Sequence, residues 1–300
     1  MRAIPIIAAG LTSVAPIVAL PATGTTDCPY AVVFYSDRSG DKDVYVLCPG
    51  ENEPKNLTRH PAADLCPAAS PDGRQIAFLS DRGGNMDVYV MKVDGSDVRR
   101  LTDTPENEEH PEFTPDGKRI LFVRDYGDRT EIWIMDADGG KQCQLTRNDA
   151  RDERPFLSAD GGRIVFMSNR DGNYEIYTMA MEDSAEARLT NTREWEIFPT
   201  WSPDGKEIAY ARKYRAEGRI QGMIRVMSAD GTNDRELTQV ETRDENAMWS
   251  PDGRFIVFQS VRDGNFEIYR MRRDGRDALR LTDHPGWDGW AAFVPVAPGT

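Results

Sequence analysis

Short apolar runs, each opened by a polar turn, recur along the whole chain. Ser70-Pro71-Asp72-Gly73 precedes Arg-Gln-Ile-Ala-Phe, and Thr114-Pro115-Asp116-Gly117 precedes Lys-Arg-Ile-Leu-Phe. The pattern returns at Ser158-Ala159-Asp160-Gly161, Ser202-Pro203-Asp204-Gly205 and Ser250-Pro251-Asp252-Gly253. A second marker, Leu-Thr, keeps the same beat at 57–58, 101–102, 145–146, 189–190, 237–238 and 281–282. Self-similarity at a fixed period of this size marks a repeat architecture. The second repeat shows the unit. Gln75 to Ser80 reads as a strand, Asp87 to Lys92 as the next, and Val98 to Thr102 as a short polar third, with Gly and Asp turns between them. His110 to Thr114 then opens the next unit. Four short antiparallel strands per repeat, six repeats and no helical periodicity predict an all-β, six-bladed propeller.

The register of the ends predicts how the ring closes. The first clear strand, from Ala31, matches the second strand of a blade, and the last, Gly289 to Phe293, matches a first strand. The C-terminal strand should therefore complete the N-terminal blade and leave no open edge.

Residues 1–24 carry one positive charge, an apolar run and then small residues, the pattern of a secretory leader. Residues 25–30 form a short segment, 31–295 the propeller and 296–300 a tail. The mature chain is expected to be periplasmic or secreted, monomeric and without a transmembrane segment. A formal charge of −13 argues against nucleic acid, whose phosphates such a surface repels. Three histidines and four cysteines, with no Cys-x-x-Cys and no His-Glu-x-x-His, leave little material for zinc chemistry. Antiparallel pairing about the turn at 36–43 places Cys28 and Cys48 near each other, so a Cys28–Cys48 disulfide is expected, with Cys66 toward the opposite face and Cys143 in a distant turn.

The units Trp201-Ser-Pro-Asp-Gly-Lys-Glu-Ile-Ala-Tyr210, Glu175-Ile-Tyr177, Ser228-Ala-Asp-Gly231 and Arg188-Leu-Thr190 resemble the TolB-type, WD40-like propeller repeat. The resemblance covers about residues 31–295. It implies a periplasmic protein that binds partner proteins through its propeller. Proteins similar to TolB also carry an N-terminal α/β domain, and none is read ahead of the propeller here. The same repeat fronts prolyl-oligopeptidase-like peptidases, but the sequence holds no Gly-x-Ser-x-Gly to go with it.

Aligning the repeats on Leu-Thr exposes a column that is acidic every time: Asp64, Glu108, Asp152, Glu196, Asp244 and Asp288. Two readings stand side by side. Six carboxylates ringing a channel mouth would hold Ca²⁺ or a basic side chain of an envelope protein or basic peptide. Alternatively, each carboxylate accepts backbone N–H bonds and fastens blade to blade. One residue earlier, Trp195, Arg243 and Trp287 fall on successive repeats and should cluster on the same face, with the residue types that dominate binding hot spots. Trp290, in the closing strand, is expected in the core. The fifth repeat carries a four-residue insertion that brings in Arg212, Lys213, Arg215 and Arg219, a basic hairpin on that face. The sequence reading is an exported protein- or peptide-binding module with no catalytic motif. A metal-assisted propeller enzyme, such as a polysaccharide lyase or lactonase, and a purely structural scaffold are the alternatives.

Overall fold

The structure, a computed structural model, describes residues 29–216, 218–239 and 242–295. Twenty-four strands, β1–β24 in chain order, form six four-stranded antiparallel sheets among these residues, and no helix occurs. The innermost strands are β4 (Asp64–Ala69), β8 (Asn107–Phe113), β12 (Asp152–Leu157), β16 (Trp195–Trp201), β20 (Asp244–Trp249) and β24 (Asp288–Val294). Blades 2 to 6 each start on one of the first five, in that order. The expected six-bladed ring is what forms.

Closure also follows the expected route. β24 pairs antiparallel with β1 (Ala31–Ser36), Ala31 facing Val294 and Ser36 facing Asp288, so blade 1 is built from both ends of the described chain. Both flanks of the seam are apolar and buried, including Val33, Val44, Ala292 and Val294, which pack against Ile76 and Phe78 of blade 2.

The recurrent Ser-Pro-Asp-Gly turn has a local cause. Ser70 Oγ donates to Asp72 Oδ1 at 2.6 Å and accepts the Gln75 N–H at 2.9 Å. Gly73 stands at φ +68°, where a side chain would be strained, and its N–H closes the turn on the Ser70 carbonyl. The same Ser–Asp bond recurs at Ser158–Asp160, Ser202–Asp204 and Ser250–Asp252. Each copy reverses the chain into a second strand whose alternate residues fill the interfaces on either side. Ile76, Phe78, Ile120, Phe122, Ile164, Phe166, Ile256 and Phe258 are fully buried.

Leu-Thr has an equally local role. All six Thr hydroxyls accept a backbone N–H from the third strand of their own blade, from Val44, Val88, Ile132, Ile176, Ile224 and Ile268, at 2.8 to 3.0 Å. The fourth strand is only two or three residues long, so the side chain caps the ladder where the backbone leaves it.

If β24 is the keystone, deleting residues 287–300 removes a paired inner strand and opens the ring. The melting midpoint should fall by more than about 10 °C, well beyond the loss of a peripheral strand. A truncated chain melting within a few degrees of the full one would contradict the seam.

Candidate functional site

The six-fold acidic column does not form an open ring of carboxylates. All six side chains are fully buried, and each meets an arginine from the second strand of its own blade or the turn that follows it. Arg82 donates to both Asp64 oxygens at 2.9 and 2.8 Å, and Arg170 to both oxygens of Asp152 at 2.9 and 3.0 Å. Arg38–Asp288 closes at 2.6 Å, Arg124–Glu108 at 2.9 Å, Arg212–Glu196 at 2.7 Å and Arg262–Asp244 at 2.9 Å. The guanidinium lies over aromatic rings, Arg82 over Phe78 and Tyr89, Arg170 over Phe166 and Tyr177. The preceding blade supplies further donors: Thr102 and Thr104 to Glu108, Asn148 to Asp152, Thr192 to Glu196. At Glu108, Asp152 and Glu196 the acidic column therefore joins a blade to the one before it. The bonds come from side chains rather than from the backbone N–H groups expected from sequence. Among the described residues, no group of three or more His, Cys, Asp or Glu side chains is placed to hold a metal ion.

These joints are costly places for charge. Burial pushes Glu108, Glu196, Asp64 and Asp288 above the ordinary carboxylate range even with an arginine beside each. A buried pair adds little net stability, whereas removing one partner strands the other.

What lines the channel is the residue two positions further on. Each innermost strand carries a bulge there, and Cys66, His110, Arg154, Phe198, Asn246 and Trp290 all adopt φ between 48° and 63°. A non-glycine residue in this region is uncommon, and a bulge re-aims its side chain. Four of the six precede proline, at Pro67, Pro111, Pro155 and Pro199, a sequence mark that would have revealed this column. These residues leave a cavity of only about 40 Å³, room for a few water molecules. Arg154 lies over Phe198 at 4.8 Å and Trp290 at 5.7 Å and meets His110 Nδ1 at 3.3 Å. Trp290, expected in the core, stands half-buried in this layer, and Cys66 lines it too. Asn246 Oδ1 and Trp290 Nε1 are buried without a hydrogen-bond partner.

Burial pushes the Glu112 carboxyl in this cavity up to about 8, with Arg154 opposing, and holds His110 well below its usual range. Glu109, at the mouth, is pushed up to about 7 by burial and by the Glu153 and Asp125 charges.

The mouth is a mosaic of both signs. Arg151 pairs with Glu153 at 2.7 Å, Arg243 with Glu245 at 3.1 Å, and Lys213 also pairs with Glu245. Trp195 and Trp287 stand beside it, 48% and 38% exposed. Trp195 meets Tyr174 edge-on, and Trp287 stacks on Phe266 at 5.2 Å, a ring that Arg243 also covers at 4.9 Å. A backbone row ties the blades together here: Trp195 opposes Lys213, Lys213 opposes Gly222, and Gly222 bridges to Arg243. Trp195, Arg243 and Trp287 thus share one face, each set on an aromatic support.

The fifth-blade insertion lengthens β17 (Glu207–Ala216) and β18 (Arg219–Ser228) to ten residues each. Only part of its basic charge is free. Arg212 is the joint partner of Glu196, and Lys213 is drawn in to Glu245, whereas Arg215 and Arg219 are exposed. Beside the hairpin lies a cleft of about 300 Å³ lined by Arg193, Glu194, Trp195, Lys213, Tyr214, Arg215 and Ile220.

Cys48 is buried and unbridged among the described residues, and its expected partner, Cys28, lies outside them, as do residues 1–24 and 296–300. Cys143 sits exposed on an outer strand rather than in a turn.

A closed ring of six four-stranded blades around a constricted channel with an aromatic-rimmed mouth is a six-bladed β-propeller. The model of the TolB beta propeller domain, PD40, matches residues 29–126 and 103–225, and the chain belongs to that family. The Tol-Pal system protein TolB of Geobacter sulfurreducens is 39% identical over 79 residues, 24% of this chain and 18% of that protein. The curated relatives are matched over only 18% to 20% of their length. The crystal structure of TolB from Acinetobacter baumannii superposes with a TM-score of 0.76 at 22% identity, over 89% of this chain and 67% of that one. An oligogalacturonate lyase in complex with manganese shares the fold at a TM-score of 0.58 and 14% identity, over 86% of this chain and 74% of the other. At these identities the structural likeness speaks for fold alone.

Two outcomes follow. Replacing Asp152 or Asp244 with Asn strands Arg170 or Arg262 and should destabilise the protein by about 3 kcal/mol in denaturant unfolding, with or without Ca²⁺. A gain in stability, or protection by Ca²⁺, would restore the open-ring reading. Glu112 gives a pH signature. Its folded value, about 8, lies above the ordinary 4.5, so between those pH values the unfolded chain releases a proton that the folded one keeps, and stability falls as pH rises. Glu112→Gln should therefore gain stability relative to the parent between pH 5 and pH 8, read from melts across that range. A difference independent of pH would place the carboxyl in contact with solvent.

Proposed function

We propose that the protein is an exported, non-catalytic binding module of the cell envelope that takes a protein or peptide partner on the face carrying Trp195, Arg243 and Trp287. The observation that carries this reading is the pair of exposed tryptophans, held against Tyr174 and Phe266 beside the channel mouth. Rigid aromatic surface that is already oriented loses little entropy on binding, and Trp and Arg are the usual anchors of protein interfaces. The leader-like residues 1–24 and the likeness to a Tol-Pal system protein support export to the envelope. No helix among the described residues is long and apolar enough to cross a membrane.

The metal-assisted lyase reading finds less support. His60 and His284 cap entry loops by accepting the Ala62 and Gly286 N–H groups, and His110 is engaged with Arg154. The acidic column is occupied by arginine.

A photo-crosslinking side chain placed at Trp195 or Trp287 should give discrete adducts with envelope extract, and the same group at Lys118, exposed beside a Pro-Asp-Gly turn, should not. Equal labelling at all three positions, or adducts at Lys118 alone, would contradict the assigned face. Release of the protein by osmotic shock checks its location.

A further inference from the structure

The cleft beside the fifth blade has a feature that no other blade reproduces. β16 begins at Trp195, where it opposes Lys213, and the chain ahead of it bends away at Arg193 and Glu194. β17 continues past that point, paired with β18 alone, through Tyr214↔Gln221, Arg215↔Ile220 and Ala216↔Arg219. Beyond Lys213, β17 is thus an open edge, and Arg215 is the next residue whose backbone faces it.

The orientation of that edge follows from the ladder. The Gly222 N–H donates to the Thr242 carbonyl, so the Gly222 backbone faces away from β17. Backbone polar groups alternate in direction along an antiparallel strand. Lys213, opposite Gly222, therefore faces β16, and Arg215, two residues on, presents its N–H and C=O to the same side. No backbone group of the described residues takes them up there. The same alternation puts the side chains of Trp195, Lys213, Arg215 and Ile220 on one surface. Trp195 and Ile220 expose 48% and 41% of their area, Arg193 and Arg215 are exposed and form no ion pair with a described residue, and Glu194 is the single acid among the described lining residues.

We propose that this cleft captures an extended, acidic segment of a partner protein by adding it as a strand to the free edge of β17. The proposal rests on the assigned binding face and specifies what the face recognises. An unpaired strand edge recognises any extended backbone. Selectivity then comes from acids that meet Arg193 and Arg215 and from an apolar residue that covers Trp195 and Ile220. In a chain of net charge −13, a basic edge of this kind is a local exception, and an acidic partner meets repulsion elsewhere on the surface.

The test is selection of a phage-displayed library of random dodecapeptides on the whole protein, followed by calorimetry on the enriched peptides. Enriched sequences should combine at least two acids with an aliphatic or aromatic residue and should bind more weakly as salt is raised. Arg215→Glu should weaken them tenfold or more. Arg215→Pro should weaken them beyond Arg215→Ala, because proline removes the outward N–H and leaves the hairpin's own ladder intact. Circular dichroism verifies that each variant is folded. Enriched peptides without acids, or peptides that bind Arg215→Glu and Arg215→Pro as well as the parent, overturn the proposal. Arg193- and Arg215-dependent co-sedimentation with phosphatidylglycerol vesicles, with no peptide enriched, overturns it in favour of a lipid surface. Peptides lost on Trp287→Ala but indifferent to Arg215 leave the face standing and remove the cleft. Peptides indifferent to both remove both.

Discussion

A buried carboxylate and a guanidinium meet six times around this ring, and the rest of the molecule depends on that joint. The acid sits at the start of the innermost strand and the arginine in or just beyond the second, so one ion pair fixes the register of the two strands. Threonine and asparagine of the preceding blade reach the same carboxylate at Glu108, Asp152 and Glu196. Desolvation makes such a pair nearly neutral in net stability but expensive to break, which favours specificity of register over strength. A strand shifted by one residue would turn its acid away from the arginine and leave both charges stranded.

With register held there, the next residues are free to do something else. Two positions on, every innermost strand bulges and sends a side chain into the channel, and these six differ completely: Cys66, His110, Arg154, Phe198, Asn246, Trp290. They close the passage to a space the size of a few waters. The repeat departs from its own rule outside that layer, at the mouth and in the fifth blade. Blade 5 replaces the turn that elsewhere carries Asn85, Asn173 or Asn265, each of which clamps the next entry loop through two carbonyls, with a longer basic hairpin. In blade 5 the Gly222–Arg243 bridge stands in place of that clamp, and the cleft opens on the other side of the hairpin, beside Arg193 and Glu194.

The sequence made the architecture legible because the repeat is written in turn chemistry: Ser-Pro-Asp-Gly and Leu-Thr are side-chain-to-backbone bonds, visible in residue order alone. The closing strand was legible for the same reason. The roles of the acidic column were not. Whether Asp64 points into a channel or at Arg82 depends on a single residue of register, and the arginine that decides it, eighteen positions later, looks like one more turn cation. The channel layer was hidden by the bulge, which breaks the alternation that a strand would otherwise impose. That is why Trp290 appears as core in the sequence and lines the channel in the fold. Arg212 illustrates the converse error. Its place in the inserted hairpin suggested a surface charge, but its register opposite Glu196 makes it a joint.

A double-mutant cycle on Asp64 and Arg82 measures directly whether the acidic column is joinery. Asp64→Asn, Arg82→Met and the double variant would be compared with the parent by denaturant unfolding, in chelator and in Ca²⁺. Asp64→Asn should cost about 2 kcal/mol more in the parent than in the Arg82→Met background, a coupling that Ca²⁺ leaves unaltered. A coupling near zero, with the parent stabilised by Ca²⁺ and the Asp64 variant not, would show that the carboxylates answer to a ligand in the channel and not to the neighbouring strand.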